Sequence, residues 1–180
     1  NLGGEEAGNI VKEIVQGGGG AKCIAFDTIS PNTLRKEDFE RGWHPTHLYY
    51  FATPLIFQGK KNSFCSSLFQ EFCDYYVSGF FNTFQAAQNL GDRLQGVFYP
   101  STIAIDELPS NMTEYASAKS AGETLCALLS KRYIDIEIYS PRLPRTATDQ
   151  TNSLLPTGGK IDPALLMLEN LRRFRRQGKA

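Results

Sequence analysis

The chain has 180 residues, of which 41% are hydrophobic and 21% charged, and its formal net charge is zero. That length supports one domain with a proper core, and the balanced charge removes any global pull towards nucleic acid or an anionic membrane. No segment is apolar over the roughly 18 residues a membrane helix needs and no signal-peptide pattern opens the chain, so a cytoplasmic protein is expected, with no nucleic-acid or membrane partner. The four cysteines, Cys23, Cys65, Cys73 and Cys126, stand in apolar or helical contexts without CxxC spacing, as reduced thiols do.

In chain order, Glu5 to Gln16 reads as a helix, and Gly17-Gly18-Gly19-Gly20 as its stop and the following turn. Ala21-Lys-Cys-Ile-Ala-Phe-Asp27 reads as a strand. His44 and His47 flank Pro45 in a loop, with no further ligand at metal spacing, so no metal is expected. His47-Leu-Tyr-Tyr-Phe-Ala-Thr-Pro54 is a second apolar strand. The stretch from Phe64 to Gln88 is a helix heavy in aromatics: Phe64, Phe69, Phe72, Tyr75, Tyr76, Phe80, Phe81 and Phe84. Core packing takes some of these, and the rest are expected to line a partner surface or an apolar substrate pocket. A homo-oligomer or a partner domain follows from that expectation.

Gly96 to Ile105 reads as a buried strand running into a hydroxyl-rich turn at Ser101-Thr102. Met112 to Arg132 reads as a helix, with Ala116, Ala118, Ala121, Leu125, Leu128 and Leu129 near helical spacing. Ile134-Asp-Ile-Glu-Ile-Tyr139 alternates strictly and is stopped by Pro141. Strand, crossover helix and strand make a βαβ unit, hence a parallel sheet. Tyr115 and Lys119 lie four residues apart at the start of that helix, so phenol and ammonium share one face. A cation beside a phenol favours the phenolate, which would bring the tyrosine towards working pH as a general acid or base. A hydroxyl from the strand end, Ser101 or Thr102, would hold the substrate oxygen.

The remaining motifs read as structure. Asn111-Met-Thr113 matches a glycosylation sequon by chance, since no secretory signal accompanies it. Thr146-Ala-Thr-Asp-Gln-Thr151 is either a capping turn or part of a site. Arg172, Arg173, Arg175 and Arg176 follow a helix carrying Leu165, Leu166, Leu168 and Leu171, where a basic last turn suits the helix dipole.

The segment Val97 to Lys119, VFYPSTIAIDELPSNMTEYASAK, resembles the active-site region of the short-chain dehydrogenase/reductases. The resemblance extends through Tyr139-Ser-Pro-Arg-Leu-Pro-Arg-Thr146, and more loosely back to about residue 5. It implies an α/β fold, a Rossmann-like doubly wound parallel sheet, lacking its first β-α-β segment and the glycine-rich turn that holds a cofactor pyrophosphate. The chain is then a single domain over 1–180: helix and glycine turn at 1–20, core with the active-site motif at 21–150, and a C-terminal substrate-side segment and helix at 151–180. The resemblance implies Tyr115, Lys119 and a hydroxyl of Thr102 or Ser101 as the catalytic set, with Thr102 favoured by the family spacing. Tyr76 falls where the family carries an asparagine that organises a relay water, and Phe51-Ala-Thr-Pro54 replaces the family's Asn-Asn-Ala-Gly. For the cofactor, NAD or NADP, it implies contacts from Asp27, Phe51, Ala52, Thr53, Lys119, Pro141, Arg142, Leu143 and Thr146.

The function implied is an NAD(P)-dependent oxidoreductase that reduces a carbonyl or oxidises an alcohol, with a small-molecule or acyl substrate. A ketoreductase is one form of it. Two alternatives remain: a dehydrogenase-like scaffold that has lost activity, for which the missing asparagine and the aromatic helix speak, and an extended-type nucleotide-sugar epimerase or dehydratase.

Overall fold

The computed structural model describes residues 4–30, 36–39, 44–91, 93–145 and 162–177. Helix α1 spans Gly4–Gln16. Its end is closed as the glycine run leads one to expect: the Gly17 and Gly19 amides donate to the carbonyls of Glu13 and Ile14, and Gly18 takes a left-handed φ of 84°.

Residues 21–27 form no strand, which corrects the sequence expectation. A strand exists only as a paired ladder, and among the described residues none runs beside this segment. Its last residue begins a turn in which the Asp27 carboxylate accepts from the Ile29 amide and the Ser30 hydroxyl.

The sheet that organises the molecule has β1 (His47–Tyr49), β2 (Gly96–Phe98) and β4 (Glu137–Tyr139), with β2 in the centre and both pairings parallel. Alternation divides its side chains between two faces. Leu48, Tyr50, Val97, Tyr99 and Ile138 belong to the main core. Tyr49, Phe98 and Tyr139 instead surround Phe174 of α6 (Pro163–Gln177). Gly96 is required there, because a Cβ would stand 2.6 Å from the Phe174 ring. Helices thus cover both faces, the doubly wound arrangement of a parallel α/β sheet.

Beyond Phe98 the central strand continues past Pro100 as β3 (Ser101–Thr102), paired in parallel with β5 (Arg142–Leu143). The Tyr99, Ser101 and Ile103 amides donate in turn to the carbonyls of Tyr139, Pro141 and Leu143. Pro100 therefore removes no bond from this ladder, since its missing N–H would face the side that β1 has already left. Where a hydroxyl-rich turn was expected, Ser101–Thr102 is still strand, and a short helix α4 (Ala104–Glu107) begins after it.

The main core lies between the sheet and two long helices. One is the continuous stretch of α2 (Ser66–Cys73), a π-turn segment (Asp74–Gly79) and α3 (Phe80–Asn89); the other is α5 (Thr113–Arg132). Phe72, Tyr76, Phe80 and Phe84 recur every four residues and are all buried. In an α-helix a four-residue repeat drifts by about 40° per step, and the wider π-turn in its middle offsets that drift and keeps the aromatics on one face. On α5 the buried set is Glu114, Tyr115, Ala116, Ala118, Lys119, Gly122, Cys126 and Leu129. Much of the aromatic series is thus spent inside the molecule, while Phe64 remains half exposed. No described helix is long and apolar enough to cross a membrane.

Candidate active site

Parallel strands end together, and the carboxyl ends of β1, β3 and β5 open into a cavity of about 680 Å³. Its walls include Phe51, Ala52 and Thr53 after β1, Pro100 to Thr102 on the central strand, and Leu143 to Arg145 at the end of β5. Tyr115 and Lys119 reach it from the first turns of α5.

The start of α5 is fixed by a residue the sequence reading passed over. Glu114 is only 1% exposed, and its carboxylate accepts the Cys65 amide at 2.6 Å, supplying the cap that α2 lacks from its own side chains. Tyr115, the next residue, is packed edge-on against Phe72 and Tyr76.

The two strand-end hydroxyls part company. Thr102 neighbours the Tyr115 phenol, and its Oγ1 accepts the Ala104 amide at 3.2 Å. Ser101 Oγ donates instead to Glu123 Oε1 at 2.5 Å. Glu123 also accepts from Nε and Nη2 of Arg142, whose Nη1 bonds Asp106. Arg142 thereby ties β5 to α4 and α5, and Glu123 is held below the usual carboxylate range, chiefly by its bond to that guanidinium.

Lys119 is turned inward. Its ammonium donates to the Pro100 carbonyl at 2.7 Å and lies 4.0 Å from the centroid of the Tyr76 ring and 4.8 Å from that of Tyr99. The acceptor is free for a topological reason. The Phe98 carbonyl still receives the Tyr50 amide, but two residues on β1 has diverged, leaving the next carbonyl on that side to the lysine.

Phenols also bond carbonyls of the π-turn: Tyr50 Oη donates at 2.6 Å to Tyr75 O, which accepts the Phe80 amide as well, and Tyr99 Oη donates to Tyr76 O at 3.0 Å. Tyr76 Oη and Thr53 Oγ1 share a bond of 2.6 Å. Tyr50, Tyr99 and Gly122 carry no motif that marks them. Only the helix-to-helix approach makes them matter, since a Cβ on Gly122 would lie 2.0 Å from Tyr99 Oη.

The electrostatics correct one expectation. Burial pushes the Tyr115 phenol up from its ordinary value, and the neighbouring Thr102 hydroxyl only partly opposes this. Lys119 does not bring it down. Burial pulls that ammonium itself down to about 7, against the smaller upward pull of Cys126 and Glu123.

Of the other expected cofactor contacts, Leu143 lines the cavity, whereas Pro141 and Arg142 do not. Asp27 is also outside it, in a turn whose Thr28 and Ile29 carbonyls receive Asn82 Nδ2. Thr146 lies outside the described residues.

No protein-family model matches the chain, and no curated protein matches its sequence. Solved structures do share its fold. FolM alternative dihydrofolate reductase 1 from Brucella canis, complexed with NADP, is similar with TM-score 0.76 at 16% identity, over 98% of this chain and 73% of that one. The alcohol dehydrogenase of the archaeon Thermococcus sibiricus, complexed with 5-hydroxy-NADP, gives 0.76 at 16%, over 94% and 75%. A short chain dehydrogenase from Salmonella enterica serovar Typhi CT18 gives 0.73 at 16%, over 93% and 75%. The likeness is one of fold: this chain has the architecture of the short-chain dehydrogenases.

Proposed function

We propose that this chain carries the acid–base centre of an NAD(P)-dependent oxidoreductase acting on a carbonyl or alcohol. The observation that carries the reading is the placement of Thr102, Tyr115 and Lys119 on the wall of one cavity at the carboxyl ends of parallel strands. NADP in the fold neighbours supports the cofactor class.

The residues present suit the nicotinamide and ribose end of such a cofactor. Two hydroxyl-bearing side chains, Thr102 and Tyr115, stand near an amine, and the backbone after β1 lines the same space. No glycine lines the cavity among the described residues, so the pyrophosphate end has no cradle there, and Glu6 on the wall is unfavourable to phosphate. Phe51, Ala52, Thr53 and Lys119 would hold the nicotinamide riboside. When bound, the cofactor supplies or takes up the hydride equivalent; the protein supplies position and the proton.

Thr102 orients the substrate oxygen by hydrogen bonding, beside the Tyr115 phenol. Tyr115 gives that oxygen its proton. A phenol raised above its ordinary value keeps its proton at neutrality, which suits it to the acid role and so to carbonyl reduction. Phe51, Ile56, Phe57, Met112 and Leu143 give the cavity apolar walls, which favour an acyl or other apolar ketone and hence a ketoreductase.

A second reading, a scaffold without turnover, is favoured by the inward turn of Lys119, whose ammonium is directed at the Pro100 carbonyl and the Tyr76 and Tyr99 rings. The test is consumption of NADPH and NADH with a panel of apolar ketones and β-ketoacyl thioesters. Turnover that falls by roughly 10²–10⁴ in Tyr115→Phe supports the enzyme. Turnover untouched by that change sinks the assignment of Tyr115.

A further inference from the structure

We propose that Tyr76 and Tyr99 are positioning residues for Lys119, their ring faces forming with the Pro100 carbonyl a cation site at the inner wall of the cavity. The geometry is that of a cage: ring centroids at 4.0 and 4.8 Å from Nζ, and a carbonyl oxygen at 2.7 Å. An ammonium facing a ring is attracted by its negative face, most strongly where water is excluded, and Lys119 is only 6% exposed.

Neither ring is free to turn away. Tyr76 is stacked on Phe72, set edge-on to Tyr115 and tied through its hydroxyl to Thr53. Tyr99 is stacked on Tyr50, lies 4.7 Å from the Phe80 ring and donates to the Tyr76 carbonyl. The titratable groups facing the lysine are Glu123 and Cys126 on α5, Tyr76 on the π-turn and Tyr99 after β2, and Tyr115 shares the cavity wall with it. Glu123 is engaged by Arg142 and Ser101, and no described carboxylate forms an ion pair with Lys119. The rings and the carbonyl are therefore what offset its loss of water. An amide at position 76 would supply a hydrogen-bonding group there but no ring face.

The cage stands on this geometry; only what the lysine is positioned for rests on the oxidoreductase reading. The test keeps the two apart. In the full chain labelled with ¹³C-lysine, the CεH₂ signal of Lys119 is assigned by its loss in Lys119→Met. A cage places that signal upfield of the other lysines through ring currents. Tyr76→Phe and Tyr99→Phe keep it there, and Tyr76→Leu moves it towards the ordinary position. Where nucleotide binds, Tyr76→Leu weakens NADPH by roughly tenfold and Tyr76→Phe does not. A Lys119 signal at the ordinary lysine position in the unsubstituted chain overturns the proposal. So does a shift lost equally in the Phe and Leu variants, which would make the hydroxyl and not the ring face the holder. If the Leu variant fails to fold, the unsubstituted chain and the two Phe variants still decide. An upfield signal without any nucleotide binding supports the cage and counts against the oxidoreductase reading alone.

Discussion

Replacing Lys119 with methionine should make the protein more stable near neutral pH, and the gain should vanish in alkali. In the unfolded chain the lysine holds its proton up to about its ordinary 10.5, whereas in the folded protein burial brings it down to about 7. Between those values the unfolded state binds the extra proton, so stability rises with pH, by at most about 1.4 kcal/mol per pH unit for one group. Below about 7 both states carry the charge, and the folded state bears the whole desolvation cost, of order a few kcal/mol. Methionine has similar length, no charge and a sulfur that packs well on aromatic faces, so Tyr76 and Tyr99 should accept it. Urea unfolding of both proteins from pH 6 to 10 gives the difference, in which groups common to both cancel. The expected difference favours Lys119→Met at pH 6 and shrinks steadily above pH 7. Parallel profiles would refute the account of a lysine buried without a counter-charge.

Three further outcomes follow from the same contacts. Gly122→Ala places a Cβ 2.0 Å from Tyr99 Oη and 3.0 Å from the Tyr76 carbonyl, so it should cost about 1–3 kcal/mol in urea unfolding; an unchanged midpoint would refute the close approach. Thr102→Ala removes the hydroxyl that neighbours Tyr115 on the cavity wall and should lower kcat roughly a hundredfold on whichever ketone is turned over, and an unchanged kcat would remove Thr102 from the site. Ser101→Ala removes the donor to Glu123 and should lower unfolding stability by about 1 kcal/mol; if it lowers kcat as far as Thr102→Ala does, the two hydroxyls have been assigned the wrong way round.

What could be read from the residues alone was local or periodic. The helix carrying Tyr115 and Lys119 and the glycine stop after Gln16 appear where their patterns put them, whereas of the alternation from Ile134 to Tyr139 only Glu137–Tyr139 is strand and 134–136 turn the chain out of α5. Parallel pairing followed from the βαβ order. The failures concern properties of pairs. Residues 21–27 have strand composition, yet composition provides no neighbour to pair with. The π-turn was hidden because a four-residue aromatic repeat lies close to helical spacing. The direction of Lys119 was hidden too, since its acceptor is a carbonyl made available by the divergence of β1, and its ring partners come from two other elements. An i,i+4 rule places phenol and ammonium on one face but does not say which of them water can reach. That is why the expected lowering of the tyrosine gave way to burial of both groups.

Calorimetric titration of the folded chain with NADPH and with NADH tests the central claim most directly. The account predicts saturable one-site binding of at least one of them, weakened in Lys119→Met. The absence of heat from both, on protein shown to be folded by circular dichroism, would contradict an oxidoreductase site in this chain.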